Sequence, residues 1–348
     1  MRPVVPPRRP APIADAVLYF PSIRPPQSEW FTRVLLYWDR VGTIMPERDE
    51  EDPGILDAYS RALVAEGLLE PVAPDATIWT AGATDYLQAF LELLDAHRLA
   101  GERQAEWVRV HLDRTGTGLA HQLVARELAR WLEGEESRGW FEVERRAATL
   151  LMAFLASIIG RSDDVRMDPI TDRADAVAAF TTLPEADRPP ATDLEPIRYA
   201  LLTDILPGPE IALDPRRIVE FKADHAALLL RFRSAVENAV LECARFDDGR
   251  LRQAKLERTR LDLKEELEEI ERRMRERGWP RIVRGAVGVA GAALGVADLA
   301  LSGGTAAAFA ASSLGLAGSV DSAFQGRRRK EIFRRPLAYA ALAQQELA

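Results

Sequence analysis

Two short apolar runs, each closed by proline, bracket one helical pattern near the start of the chain, and that order leaves few folds open. "ADAVLYFP" (14–21) predicts a strand. "QSEWFTRVLLYWDRV" follows, with Trp30, Phe31, Val34, Leu35 and Trp38 at helical spacing and Ser28 placed to cap the first turn. "VGTIMP" (41–46) is a second extended run. Strand, helix and strand within about thirty residues form a βαβ unit, and that connection requires a parallel strand pair.

The pattern continues downstream. "DPGILDAYSRALVAEGLLEPVAP" (52–74) reads as a helix with Pro53 in its first turn, ended by Gly67, then an extended "LEPVAP". "TDYLQAFLELLDAHRL" (84–99) is a helix and "EWVRVHLD" (106–113) a strand. "GLAHQLVARELARWLEG" (118–134) and "EVERRAATLLMAFLASIIGR" (142–161) read as helices, the second apolar on most faces and therefore central. "MDPITDRADAVAAF" (167–180) gives a short extended piece and a helix, "PEADRPPATD" (184–193) a linker, and "IRYALLTDILPGP" (197–209) one more strand.

After Pro209 the texture changes. Ile218, Phe221, His225, Leu228, Phe232, Ala235, Ala239 and Cys243 step by three and four, a heptad seam. "DDGR" (247–250) makes a turn, and Leu256, Leu263, Leu267, Ile270 and Met274 resume the seam, with Arg260 interrupting it. Two such helices joined by a short turn predict an antiparallel hairpin. The expected fold class is α+β: an N-terminal α/β region with a small, largely parallel sheet, then a long antiparallel helical hairpin and an Ala/Gly-rich helical hairpin. The expected divisions are a disordered leader (1–13), an α/β domain (14–209), the heptad hairpin (210–279), the Ala/Gly hairpin (280–326) and a basic C-terminal helix (327–348).

The Ala/Gly stretch poses the main functional question. "SGG" (302–304) splits it into two halves of bilayer-spanning length, 282–301 and 305–324, with basic residues at both outer ends. Gly288, Gly291 and Gly295 provide the small-residue spacing that lets helix backbones approach. Asp298 and four glycines weigh against insertion of the first half. Ser312, Ser313, Ser319 and Asp321 weigh against the second. Two readings stay open: a buried Ala/Gly hairpin, or insertion after a trigger. The basic run Arg327, Arg328 and Arg329 suits either an anionic membrane surface or a solvated flank.

Composition excludes several classes. A formal net charge of −8 argues against a nucleic-acid binder that uses its whole surface. One cysteine, Cys243, allows neither an intrachain disulfide nor a cysteine zinc cluster and suits a cytoplasmic setting. The four histidines, His97, His111, His121 and His225, show no metal-ligand spacing, so no metal is expected. His111 and His121 are either a pair with a metal or acid–base role or ordinary surface or partly packed side chains.

Two further groups of residues are candidates for chemistry. Gly116 and Gly118 in "RTGTGLAHQ" offer a strand-to-helix turn that either cradles a phosphate or simply turns tightly. The turn lacks the P-loop lysine and the third glycine of the dinucleotide fingerprint. Asp39, Asp172 and Arg24 lie near expected strand ends, where α/β sheets build ligand sites, and are the catalytic candidates; alternatively Asp172 caps the next helix.

"LYFPSIR", "WFTRVLLYWDRVGTIMP", "LLMAFLA" followed by "PITD", and "RIVEFKADHAALLLRFRSAVE" together resemble a bacterial family of uncharacterised proteins. The resemblance spans roughly residues 16–237. It implies a bacterial origin and a shared architecture and transfers no activity, cofactor or catalytic residue. Lys222 stands where that pattern has arginine. The first functional expectation is an interaction or effector protein. It would work through its helical hairpins on a protein partner or second copy, with assembly or conditional membrane contact through the Ala/Gly hairpin. The alternative is an α/β enzyme acting on a nucleotide or other phosphorylated ligand.

Overall fold

The computed structural model describes residues 16–45, 56–74, 83–97, 106–133, 139–162, 164–184, 188–189, 194–276 and 332–347. The expected βαβ unit is present as β1 (Ala16–Tyr19), α1 (Glu29–Tyr37) and β2 (Arg40–Ile44), with β1 and β2 parallel. Ser28 caps α1 by accepting from the Phe31 amide at 3.3 Å. Next come α2 (Ala58–Ala65), capped by Asp57, and β3 (Leu69–Val72), which joins β2 in parallel.

The chain then leaves this sheet. It forms α3 (Ala83–Ala96), β4 (Trp107–His111), α4 (Leu112–Ala125), β5 (Ala129–Trp131), β6 (Trp140–Glu144) and α5 (Arg145–Arg161). The three strands make a separate antiparallel sheet in the order β4-β6-β5. β7 (Asp168–Ile170) returns to the first sheet beside β1, giving the order β3-β2-β1-β7 with every pair parallel.

Gly160 permits that return. A β-carbon there would lie 2.3 Å from the Met167 carbonyl oxygen, and the Met167 amide donates to the Gly160 carbonyl at 2.9 Å. Only glycine lets the last turn of α5 lie this close to the chain entering β7.

α6 (Ala174–Thr182) and α7 (Glu195–Ile205) follow. The rest is helical: α8 (Pro215–Asp224), α9 (Ala226–Ala244), α10 (Gly249–Glu276) and α11 (Ala338–Glu346). The α9–α10 hairpin forms across the Asp247–Asp248 turn, with Glu242 opposite Lys255 at 3.0 Å and Cys243 against Thr259. Its seam differs in detail from the expected one. The chain breaks at His225 (φ −120°, ψ 20°), and beyond it Leu229, Phe232, Val236, Val240 and Cys243 are the buried positions. The break resets the helix phase, so Ala235 and Ala239 are only half-buried. Arg260, the seam interruption, turns to α7 and binds Asp204 with two nitrogens at 2.6 and 3.1 Å.

Three sequence expectations are corrected. Residues 197–209 are not a strand. Ile197, Arg198, Leu201, Leu202 and Ile205 are buried at helical spacing, which outweighs the strand-like run of apolar residues and the closing proline. The helix expected over 118–134 ends at Ala125, and residues 129–131 form β5. The helix expected from 142 begins at Arg145, because Phe141 and Val143 alternate with less buried neighbours and form β6.

The parallel sheet separates two cores. Alternate residues of β1 supply each: Val17 and Tyr19 face α1, α7 and the C-terminal helices, while Ala16, Leu18 and the following Phe20 face α3 to α6 and the antiparallel sheet. With both faces covered, all of β1 is buried, as parallel strands generally are. The expected Ala/Gly hairpin (280–326), with Gly288, Gly291 and Gly295, lies outside the described residues. So do Arg327, Arg328 and Arg329, and the expected leader. Among the described residues no helix is long and apolar enough to cross a membrane.

Candidate functional site

In the order β3-β2-β1-β7 the chain leaves β1 toward β2 and β3 on one side and reaches β7 on the other. The switch point lies between β1 and β7, and ligands of open parallel sheets bind beyond the carboxyl ends of such strands. At that end β1 runs through a cis Phe20–Pro21 peptide into the turn bearing Ser22, Ile23 and Arg24. The Thr43 hydroxyl, from the end of β2, donates to the Ser22 and Ile23 carbonyls at 3.3 and 3.0 Å and holds this turn in place. The antiparallel sheet and the start of α5 close the opposite side. The cavity between them measures about 420 Å³ and is lined by Arg24, Arg109, Arg114, Arg145 and Arg173 together with Ser22, Thr149 and Trp140. Among the described residues no carboxylate lines it.

Each arginine comes from a different segment. Arg114, only 6 % exposed, donates to the Ile44 carbonyl at 2.6 Å at the end of β2. It precedes Gly116, whose φ of 67° and ψ of 156° break α4 into two helical pieces; a side chain would be strained there. Arg145 opens α5 and pairs with Glu106 at 2.5 Å, while its buried Nε meets no hydrogen-bond acceptor among the described residues. Arg173 follows β7 and is held by Asp175, whose carboxyl it keeps below the usual range. Arg24 and Arg109 are exposed at the rim.

Arg173 also lines a second cavity of about 620 Å³ between α1, the end of β7, α6 and α7. Its walls include Trp30, Trp38, Tyr199, Asp172 and Glu195. Asp172 accepts from the Tyr19 hydroxyl at 3.4 Å, and burial together with the Asp172 charge pushes the Tyr19 phenol well above its ordinary range. Behind the wall, Arg198 binds Glu237 at 2.5 and 2.8 Å and also pairs with Glu195. Glu195 is pushed up to about 7: burial is the main cause, Arg198 opposes it, and the charges of Glu237 and Asp168 add to it. Burial raises Asp168 as well.

The structure brings Arg24 and Asp172 to the same end of the sheet, on either side of Arg173. Asp39 is not with them. It precedes β2, so it lies at the amino end of the parallel sheet, opposite Asp172. There Arg233 binds both its oxygens at 2.8 and 2.7 Å. Burial pushes the Asp39 carboxyl up, and the hydrogen bonds and charge of Arg233 outweigh it to leave the group below its ordinary range. Gly116 and Gly118 line neither of these two cavities. Asp172 is not a helix cap: α6 starts after Arg173 without a side-chain cap. His111 packs against Trp140 and His121 against Trp131, so they sit on different tryptophans. Among the described residues no group of three or more metal-ligating side chains occurs.

Arg109, Arg114, Arg145 and Arg173 were not legible as a set, because each is a single arginine in its own segment. The nearest signal is local: Arg114 lies two residues before the Gly116 break, and Arg173 adjoins Asp172. No family model, curated protein or solved structure matches the chain. What the site takes must therefore be read from its own side chains.

Proposed function

We propose that this α+β chain binds a nucleotide or another phosphorylated small molecule in the arginine-lined hollow at the carboxyl ends of β1 and β7. The observation that carries this reading is the lining: five guanidinium groups from five segments, and no carboxylate among the described lining residues. Glu106 and Asp175 offset Arg145 and Arg173 only from outside the hollow, and an anion placed among the five guanidiniums adds a counter-charge within it. Guanidinium forks match phosphate oxygens in pairs. Trp140, Val108 and Met152 supply an apolar wall for the rest of such a ligand, and a volume of about 420 Å³ suits a small molecule.

The overall net charge of −8 sharpens the selection. A basic hollow in an acidic protein favours a compact anion over an extended nucleic acid, which needs a broad basic surface. The phosphorylated ligand expected from the sequence is retained, and the arginines replace Asp39 and the Gly116–Gly118 turn as its holders. The other expectation, an interaction or effector role through the helical hairpins, rests in part on residues 280–326, which lie outside the described ones.

Isothermal titration of the full chain with pyrophosphate and with ATP tests the proposal. The expected result is saturable binding that the double substitution Arg109→Met, Arg145→Met weakens by about tenfold or more. Circular dichroism would check that the partly exposed substitutions leave the fold intact. Absence of saturable binding of either anion at millimolar concentrations overturns the reading, as do affinities indifferent to the double substitution.

A further inference from the structure

The second cavity has the opposite chemistry. Trp30 and Tyr199 stand with ring centroids 6.4 Å apart at 54°, two sides of an aromatic corner that is half-buried. Asp172, on the same cavity wall, is exposed and accepts only from the Tyr19 hydroxyl; among the described residues it makes no ion pair. The two arginines that reach this cavity are engaged elsewhere. Arg33 bonds to Glu29 at 3.0 Å and to the Leu206 carbonyl at 3.2 Å, and Arg173 bonds to Asp175, although its charge also acts on Asp172.

The charge behind the wall has the same sign. Glu195, Glu237 and Asp168 cluster around the single guanidinium of Arg198, so carboxylates outnumber their cation. Burial is the main cause of the raised Glu195 value, Arg198 opposes it, and the charges of Glu237 and Asp168 add to it. The wall also already holds a cation on an aromatic face, since the Arg198 guanidinium carbon lies 5.3 Å from the Trp38 ring centroid.

We infer that this cavity binds an organic cation, an amine or quaternary ammonium group, on the corner of Trp30 and Tyr199 with Asp172 as its counter-charge. An aromatic face attracts a cation through its quadrupole, and the attraction grows when the site is partly desolvated. A hard metal ion needs several oxygen ligands converging on one point, and the described residues hold no such group. A volume of about 620 Å³ leaves room for the apolar remainder of an amine against Val34 and Val177. This site is independent of the arginine-lined hollow, although Arg173 borders both.

Choline and its neutral carbon isostere 3,3-dimethyl-1-butanol separate charge recognition from simple apolar binding. Titrated into the full chain and followed by tryptophan fluorescence, choline is expected to bind saturably, and the isostere about tenfold more weakly. Asp172→Asn should weaken choline by about tenfold and leave the isostere unchanged. Tyr199→Leu should weaken choline by a similar factor. Pyrophosphate titrated into Asp172→Asn reports the arginine-lined hollow separately, so loss of one site is distinguishable from loss of the other. No saturable choline binding at millimolar concentrations, equal binding of the isostere, or a choline affinity untouched by Asp172→Asn would each overturn the inference.

Discussion

Arg233, only 2 % exposed, reaches from α9 to the start of β2 and grips Asp39 with both terminal nitrogens, while its Nε donates to the Tyr37 carbonyl at 2.5 Å. One guanidinium thus joins the helical half of the chain to the junction between α1 and the sheet. Lys222 supports the same junction, donating to the Leu35 carbonyl at 3.0 Å and to the Trp38 carbonyl. Removing Arg233 leaves the Tyr37 carbonyl and the Asp39 carboxylate without their donors. Because the Asp39 side chain is 45 % exposed, water can take over part of the loss. Arg233→Met is expected to destabilise the chain by about 2 kcal/mol, and Asp39→Asn by less. Urea unfolding of both variants measures the difference.

Gly160 should tolerate no side chain. A methyl group there meets the Met167 carbonyl at 2.3 Å, and backbone cannot step aside as a flexible side chain can. Gly160→Ala is expected to cost about 1–3 kcal/mol, against a gain in helix propensity of about 1 kcal/mol at an unstrained helical glycine. Thermal unfolding of the single variant decides the sign.

The Glu195 carboxyl makes stability depend on pH. Its folded value of about 7 lies above the ordinary value of 4.5. The folded chain therefore holds this proton more tightly than the unfolded chain. The contribution is fully present below the ordinary value and is lost as pH rises through about 7. Arg198, Glu237 and Asp168 are the charged groups that act on it. Glu195→Gln removes this proton while keeping the shape. Its stability relative to the parent chain should rise between pH 5 and pH 8, as followed by urea midpoints across that range. A constant difference between the two proteins would count against the assignment.

Salt should separate the two cavities' ligands by degree. Five guanidiniums face a multiply charged anion in the hollow, whereas the second cavity, with Asp172 and Glu195 set against Arg33 and Arg173 in its lining, faces a monovalent cation. Raising the ionic strength from about 0.05 to about 0.5 M is expected to weaken pyrophosphate binding several-fold more than choline binding. Parallel titrations at the two ionic strengths check this.

The local parts of this fold are legible in the sequence. The proline-closed runs around Ser28 announce the βαβ unit, and the Asp247–Asp248 turn between heptads announces the α9–α10 hairpin. The arrangement of distant parts is not. β7 pairs with β1 across about 150 residues, and no local pattern encodes which strand a three-residue segment will join. The same gap misplaced Asp39. Its proximity to a strand was evident, but which end of the sheet it would occupy depends on where β2 begins, at Arg40. The hollow was hidden for a related reason: its five arginines are scattered between residues 24 and 173 and converge only through tertiary folding.

β1 serves two cores by turning successive residues to opposite sides, with Val17 and Tyr19 on one and Ala16 and Leu18 on the other. Inserting or deleting a single residue in this strand would exchange every one of those assignments at once. Tyr19 would lose Asp172, and the turn bearing Arg24 would swing away from the other guanidiniums. Length in this short strand is therefore constrained more tightly than the chemical identity of any one of its side chains.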